Sequence, residues 1–216
     1  FTSMRDFFRR RMATHLSDEN KHWLKDRTGD GIHDYRDLTT VKERIRLVED
    51  TNGDGKADKS TVYAEGFNEE FNGVVAGVMP YEGDVFMTIY PDLWRLRDLD
   101  GDGVADGKVS MFRGFGVHAA FDGHDLHGLT VEPEGKIYFS CGDNGFSVVS
   151  KEGKRLHYPN TGGVLRMNPD GSELEVFATG LRNVQEFDFD RYGNMFAVDN
   201  DGDLEDERER AVYIAE

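Results

Sequence analysis

IRLVEDTNGDGKADKSTVYAEGF, running from Ile45 to Phe67, returns 48 residues later as LWRLRDLDGDGVADGKVSMFRGF, Leu93 to Phe115. Both copies pass from alternating apolar residues through an acidic, glycine-rich turn into a second alternating run that closes on Gly-Phe, the pattern of a β-hairpin. A third copy, VLRMNPDGSELEVFATGL from Val164 to Leu181, keeps both strands and shortens the turn to Asn168-Pro169-Asp170-Gly171. A second unit lies between the hairpins: GLTVEPEGKIYFSCGDNG (Gly128 to Gly145) matches EFDFDRYGNMFAVDNDG (Glu186 to Gly202), with a looser copy, VVAGVMPYEGDVFMTIY, from Val74 to Tyr90. Two hairpins per unit with no helix between them mark a propeller blade of four antiparallel strands.

With strands named A to D within a blade, the pattern predicts A 73–79, B 84–90, C 92–98, D 108–113; A 128–132, B 136–141, C 163–168, D 173–179; and A 185–190, B 194–199, C 210–215. Strands C and D of an earlier blade fall at 45–49 and 60–65. The expected fold is all-β, a β-propeller with a little over three blades in this chain and six in the whole protein. Such a ring must close to remove its edges, so the remaining blades are expected from a longer protein or another chain.

Two domains are expected, 1–40 and 41–216. In the first, Met4, Phe7, Phe8, Met12 and Leu16 share one helical face, and Ser17 can cap a second short helix carrying Trp23 and Leu24. This reads as a helical extension packed on the propeller; a membrane-surface or partner helix built on Arg5, Arg9, Arg10 and Arg11 is the alternative.

Composition narrows the function. Lys and Arg number 26 against 42 Asp and Glu, a net charge of −16, and no basic stripe crosses the body of the chain, which argues against nucleic acid. No apolar run approaches the 18 or so residues of a membrane span. Cys141 is the one cysteine, so no internal disulfide, CxxC zinc site or CxxCH haem attachment exists within the chain. It is expected to pack at a strand end.

Alternating strand direction sorts the loops onto two faces. The A–B and C–D turns share one. There, Asp50, Asn52, Asp54, Lys56 and Asp58, and again Asp98, Asp100, Asp102, Val104 and Asp106, occupy positions 1, 3, 5, 7 and 9 of a calcium loop, with Gly at position 6. A third copy uses Asp26, Thr28, Asp30 and Asp34. Neither blade loop ends in Glu at position 12, so these are not strict EF-hands. A hard cation would pin the long hairpins, and its removal should loosen the blades.

The other face gathers the D–A and B–C loops around the axis. It carries His118, His124, Asp125 and His127, then Asp143 after a B strand, Arg182, Asn183 and Gln185 before an A strand, the 145–162 segment with His157, and Asp199 and Asp201. The histidines beside Asp125 suit metal ligation, a base with its orienting carboxylate, or plain surface polarity. Arg182 beside Asn183 suits a bidentate anchor for an anion such as a quinone carboxylate.

The stretches GVHAAFDGHDLHGLTVEPEGKIYFSCGDNGF (116–146) and TGGVLRMNPDGSELEVFATGLRNVQEFDFDRYGNMFAVDNDGD (161–203) resemble the propeller of a family of large secreted proteins from Planctomycetes and Verrucomicrobia described as membrane-bound dehydrogenases, which often continue into helical repeats and a c-type haem domain. The likeness runs from about Ile45 to the C-terminus. More distantly the pattern is similar to soluble PQQ-dependent glucose and aldose sugar dehydrogenases, six-bladed propellers with an H-x-G-x-L strand start and a GLRN loop.

This resemblance implies His127 as general base toward a sugar hydroxyl, Arg182 and Asn183 on the quinone's carbonyl and carboxylate oxygens, and Asp143 in the pocket loop. Where the sugar dehydrogenases use a Gly-Pro turn for the quinone's calcium, this chain has Asp199-Asn200-Asp201-Gly202-Asp203. The implied protein is a calcium-stabilised, periplasmic or extracellular oxidoreductase that oxidises a sugar or alcohol with PQQ and passes electrons to a cytochrome c domain or chain. Two rivals stand beside it. One is a calcium-dependent propeller lactonase or hydrolase using Asn68, Glu69, Asn72 and Asp199; the other is a non-catalytic module that grips glycan or a partner protein.

Overall fold

The computed structural model describes residues 25–32, 35–69, 72–117, 123–200 and 208–215. Among them are fifteen strands: β1 Glu43–Glu49, β2 Lys59–Phe67, β3 Val75–Tyr81, β4 Asp84–Ile89, β5 Asp92–Arg97, β6 Gly107–Arg113, β7 Leu126–Val131, β8 Ile137–Cys141, β9 Phe146–Val149, β10 Arg155–Tyr158, β11 Gly162–Met167, β12 Glu175–Leu181, β13 Val184–Phe189, β14 Met195–Asp199 and β15 Arg210–Ile214. One short helix, α1 Tyr35–Thr39, precedes them. The helices expected before residue 25 lie outside the described residues.

The sheets are antiparallel and follow the repeat. β3-β4-β5-β6 and β7-β8-β11-β12 are four-stranded, β13-β14-β15 is three-stranded, and β1-β2 stands alone as a hairpin. Period-two alternation explains the strands at the end of the series: in β14, Met195, Ala197 and Asp199 are buried while Phe196 and Val198 face out. β4 and β8, sandwiched by neighbours on both sides, are buried along nearly their whole length.

Each apolar core lies between two successive sheets, which is how blades stack. Ile45, Tyr63 and Phe67 of the first hairpin meet Met87, Ile89 and Leu96 of the next sheet. Phe86, Leu93 and Phe112 of that sheet meet Leu126, Phe139 and Leu165. Tyr138 and Val164 then meet Val184, Phe187 and Met195. Phe115, Phe139 and Phe146 are fully buried, with Phe115 and Phe139 edge to face at 5.5 Å between centroids; each such side chain contributes on the order of 1.5–3 kcal/mol by burial.

The first strands of consecutive sheets, β3, β7 and β13, lie side by side, as strands around an axis must. They approach closely: a Cβ on Gly128 would stand 2.9 Å from the Gln185 carbonyl oxygen, so β7 requires glycine where it passes β13. Among the described residues the sheets do not close into a ring.

One element was not expected. The 145–162 segment, read from the sequence as a long loop, contains the β9–β10 hairpin, paired from Phe146↔Tyr158 to Val149↔Arg155. Its Phe146, Val148 and Leu156 fill the core between the second and third members of the series. Its tip reaches the β11–β12 turn, where Glu152 accepts the Glu173 N–H at 2.9 Å. The hairpin is therefore a wedge between blades.

Candidate functional site

Three acidic loops, two of them on the A–B and C–D face, share one hydrogen-bond skeleton. The first carboxylate of each takes two backbone N–H groups, Asp26 from Gly29 and Gly31, Asp50 from Gly53 and Gly55, Asp98 from Gly101 and Gly103, at 2.6–2.9 Å. The fifth-position carboxylate bonds the N–H two residues on, Asp30 to Ile32, Asp54 to Lys56 and Asp102 to Val104, each at 2.8 Å. A last carboxylate closes the loop: Asp58 accepts the Thr51 N–H at 3.0 Å and Asp106 the Leu99 N–H at 2.7 Å.

In each loop the N–H of the sixth-position glycine, Gly31, Gly55 or Gly103, is the foremost cause that lowers the pKa of Asp26, Asp50 or Asp98 below the ordinary carboxylate value, outweighing desolvation. Oxygens of Asp98, Asp100 and Asp106 lie within 4.8 Å of one another, close enough to hold one hard cation. Asn52 supplies the equivalent amide oxygen in the preceding loop, where it accepts the Asp54 N–H at 2.9 Å.

The Asp98 loop also docks on its neighbour: Ala105 N–H donates to the Tyr63 carbonyl at 2.8 Å. In the N-terminal loop Asp34 lies outside the described residues, and the closing carboxylate is Asp37. It is fully buried at the twelfth position from Asp26 and accepts the Arg27 and Thr28 N–H groups at 2.7 and 3.0 Å. The acid at the twelfth place, beyond the ninth-position Asp34, is the signal in the sequence for this closure.

The axial face brings together residues from two successive sheets. His127 is the second residue of β7 and Asn183 immediately precedes β13, yet the Asn183 amide interacts with the half-buried imidazole. Burial is the largest influence on His127 and lowers its pKa; the nearby His124 adds to this, and bonds to the Gly123 carbonyl and Asn183 oppose it. His127 Nε2 lies 2.5 Å from the Gly123 carbonyl oxygen. A carbonyl only accepts, so Nε2 carries the proton and Nδ1 is the basic atom of the neutral ring.

Asn183 is 2 % exposed, and among the described residues none is aligned to donate to its Oδ1 as it is placed. That oxygen and the His124 carbonyl press on Gly142, where a Cβ would meet them at 2.7 and 2.6 Å. Asn200, oriented to satisfy both ends of its amide, gives its nitrogen to the Asn183 carbonyl at 2.9 Å and its oxygen to Arg182 Nη1 at 2.5 Å. Thus His127, Asn183, Asn200 and the Arg182 guanidinium form one run of contacts.

The other expected residues take supporting places. His124 is 6 % exposed and donates through Nδ1 to Asp143 Oδ1 at 2.8 Å, while Asp125 accepts the Gly142 N–H through its backbone carbonyl at 2.7 Å. Together these bonds lock residues 123–127 against 142–143. Gln185 is exposed on β13. Asp199 is fully buried, and its carboxylate accepts the N–H groups of Arg182 and Asn183 and pairs with the Arg210 guanidinium.

Cys141 is buried, its thiol pKa raised by desolvation, and it packs at the end of β8 as expected. His157 bonds Ser147 across the β9–β10 hairpin at 3.0 Å. His118 and Asp201 lie outside the described residues. Of the set expected of a lactonase, Asn68 donates to the Thr39 carbonyl at 2.7 Å, Glu69 faces Arg113 at 3.9 Å, and Asp199 serves the 182–183 backbone.

No curated protein matches the sequence. Among solved structures the chain is similar to the PQQ-bound aldose sugar dehydrogenase of Streptomyces coelicolor, at 22% identity over 76% of this chain and 53% of that one with a TM-score of 0.45. It is similar to a protein described as a gluconolactonase, at 15% identity over 72% and 52% with a TM-score of 0.42. Regucalcin of Agrobacterium tumefaciens, a calcium-binding protein, shows 14% identity over 67% and 58% with a TM-score of 0.28. The chain spans about half the length of the first two. The family model described as a domain of unknown function, DUF7133, matches residues 4–213, and the chain belongs to that family.

Proposed function

We propose that this chain is the greater part of the catalytic mouth of a quinone-dependent dehydrogenase acting on a sugar or related alcohol. The observation that carries the reading is the meeting of the His127 imidazole with the Asn183 amide and, through Asn200, the Arg182 guanidinium, from two different sheets. A base beside an amide and a guanidinium is a donor set suited to one alcohol and one planar, carboxylate-bearing group.

PQQ fits these groups through its carboxylates and carbonyls, with Arg182 and Asn183 as anchors. The fit does not extend to a quinone-bound calcium at Asp199, whose oxygens are already taken by N–H groups and Arg210. Bound at the mouth, the quinone would supply a hydride acceptor. The chain's own part is proton removal: neutral His127, its Nε2–H held by the Gly123 carbonyl, presents Nδ1 to the substrate hydroxyl. Its lowered pKa keeps that atom unprotonated at neutral pH.

Calcium in the Asp98 and Asp50 loops would pin the turns of the opposite face, and calcium in the Asp26 loop closed by Asp37 would pin the segment that leads into β1. The rest of the ring, six blades in all, and a c-type haem acceptor would lie beyond this chain, in the periplasm or outside the cell. Full-length protein supplied with PQQ, calcium and a dye should reduce the dye with aldoses, and His127→Ala should abolish this while leaving the fold intact. Lactone opening without dye would establish a hydrolase instead, and sugar binding without turnover a binding module.

A further inference from the structure

Asp199 stands at the end of β14, where the resemblance to sugar dehydrogenases places oxygens for a metal, yet its surroundings have a different purpose. It has no exposed surface. Oδ1 accepts the Asn183 N–H at 2.7 Å and the Arg182 N–H at 3.1 Å, and Oδ2 accepts the Arg182 N–H at 3.1 Å and the Arg210 guanidinium. A carboxylate offers about four acceptor sites. Three donors, one of them shared between the two oxygens, therefore engage both oxygens.

The two N–H groups belong to the residues proposed to anchor the quinone, and they reach Asp199 from the turn that links β12 to β13. That turn, Arg182-Asn183, lies between the two strands; β12 ends at Leu181 and β13 begins at Val184. Its backbone direction, and with it the exit of both side chains, is set by the carboxylate. Arg210, on the adjacent strand β15 and half exposed, is paired with Asp199 through the register Asp199↔Arg210 and balances its buried charge. A buried carboxylate without such a partner would be strongly disfavoured.

We infer that Asp199 and Arg210 are positioning residues that aim Arg182 and Asn183 into the axial mouth, and that Asp199 itself contacts neither cofactor nor metal. The inference rests on the proposed quinone site for its functional consequence, while its structural half can be read without any ligand. Arg210, unremarked in the sequence, is the residue that makes the arrangement testable, because its side chain is 59% exposed and its replacement leaves the core packing in place.

The test uses the full-length protein with Arg210→Met, Arg210→Lys and Asp199→Asn. Amide hydrogen exchange at residues 182 and 183, followed alongside residues of β4 and β8 as controls, reads the positioning directly. Quenching of protein fluorescence by added PQQ reads its consequence. The expected result is at least tenfold faster exchange at 182–183 and at least tenfold weaker PQQ binding in Arg210→Met and Asp199→Asn, unchanged protection in β4 and β8, and recovery in Arg210→Lys.

Unchanged exchange at both amides would overturn the inference whatever the ligand does. Altered exchange with wild-type affinity for PQQ would overturn its functional half. Absence of PQQ binding by the wild-type protein would instead overturn the quinone site, while faster exchange in the variants would still sustain the positioning role.

Discussion

Ser140 donates its hydroxyl to the Val184 carbonyl at 2.6 Å, a buried bond from the middle of one sheet to the first residue of the next. It fixes β8 against β13 one residue from Asn183, so the spacing of the two sheets at the site is set by hydrogen bonding as well as by apolar packing. Removing it with Ser140→Ala leaves a buried carbonyl without its donor and should cost about 1–3 kcal/mol. Urea unfolding with an unchanged m-value is the measurement, and an unaltered midpoint would show that packing alone holds the two sheets.

Gly142→Ala should be more damaging than an alanine substitution at an exposed glycine such as Gly153. Its new methyl group would meet the His124 carbonyl at 2.6 Å and Asn183 Oδ1 at 2.7 Å, whereas a Cβ on Gly153 has no neighbour within 4 Å. Gly153 does sit at a φ of 84°, so its replacement carries backbone strain but no collision. About 1–3 kcal/mol from overpacking is expected at Gly142, together with loss of PQQ binding. Thermal unfolding and fluorescence quenching report the two effects separately.

Turnover should depend on pH through His127. Its pKa is lowered, so the unprotonated base persists to a pH below the ordinary histidine value of about 6.5 and is lost only as the pH falls through the lowered value. The acid limb of kcat should lie below that ordinary value and vanish in His127→Ala, with a fall in kcat of roughly 10²–10⁴-fold. An acid limb unchanged by the substitution would move the base to another group.

Calcium should raise stability by binding the folded loops alone. At a calcium concentration 100 times the dissociation constant, one site adds about 2.7 kcal/mol. Chelation should therefore lower the melting temperature by several degrees, and Asp98→Ala should remove much of the response, because Asp98, Asp100 and Asp106 converge and their loop is tied to Tyr63 of the preceding hairpin. An identical melting temperature with calcium and with chelator would leave these loops as hydrogen-bonded turns only.

The blade strands were legible because they alternate with period two and because a turn glycine recurs at 83, 135 and 193. The β9–β10 hairpin was not. Its strands are four residues each, and Phe146, Val148 and Leu156 give too few alternations to outweigh the length of the segment around them.

At the site, sorting loops by strand direction was enough to bring His127 and Asn183 together, since the partition depends only on the order of the strands. The pairing of His124 with Asp143 and the service of Asp199 to the 182–183 backbone were hidden. A carboxylate that holds N–H groups and one that holds a cation have the same letter, and only the placement of neighbouring donors separates them. Asp37 escaped for a simpler reason, being three residues beyond the last position counted.

The most direct test is a crystal structure of the full-length protein grown with PQQ and calcium. The account expects a planar quinone at the axial mouth, its carboxylate and carbonyl oxygens on Arg182 and Asn183 and its reactive carbonyl facing Nδ1 of His127. A quinone bound elsewhere, or His127 and the Arg182 guanidinium opening onto opposite faces of the completed ring, would contradict it.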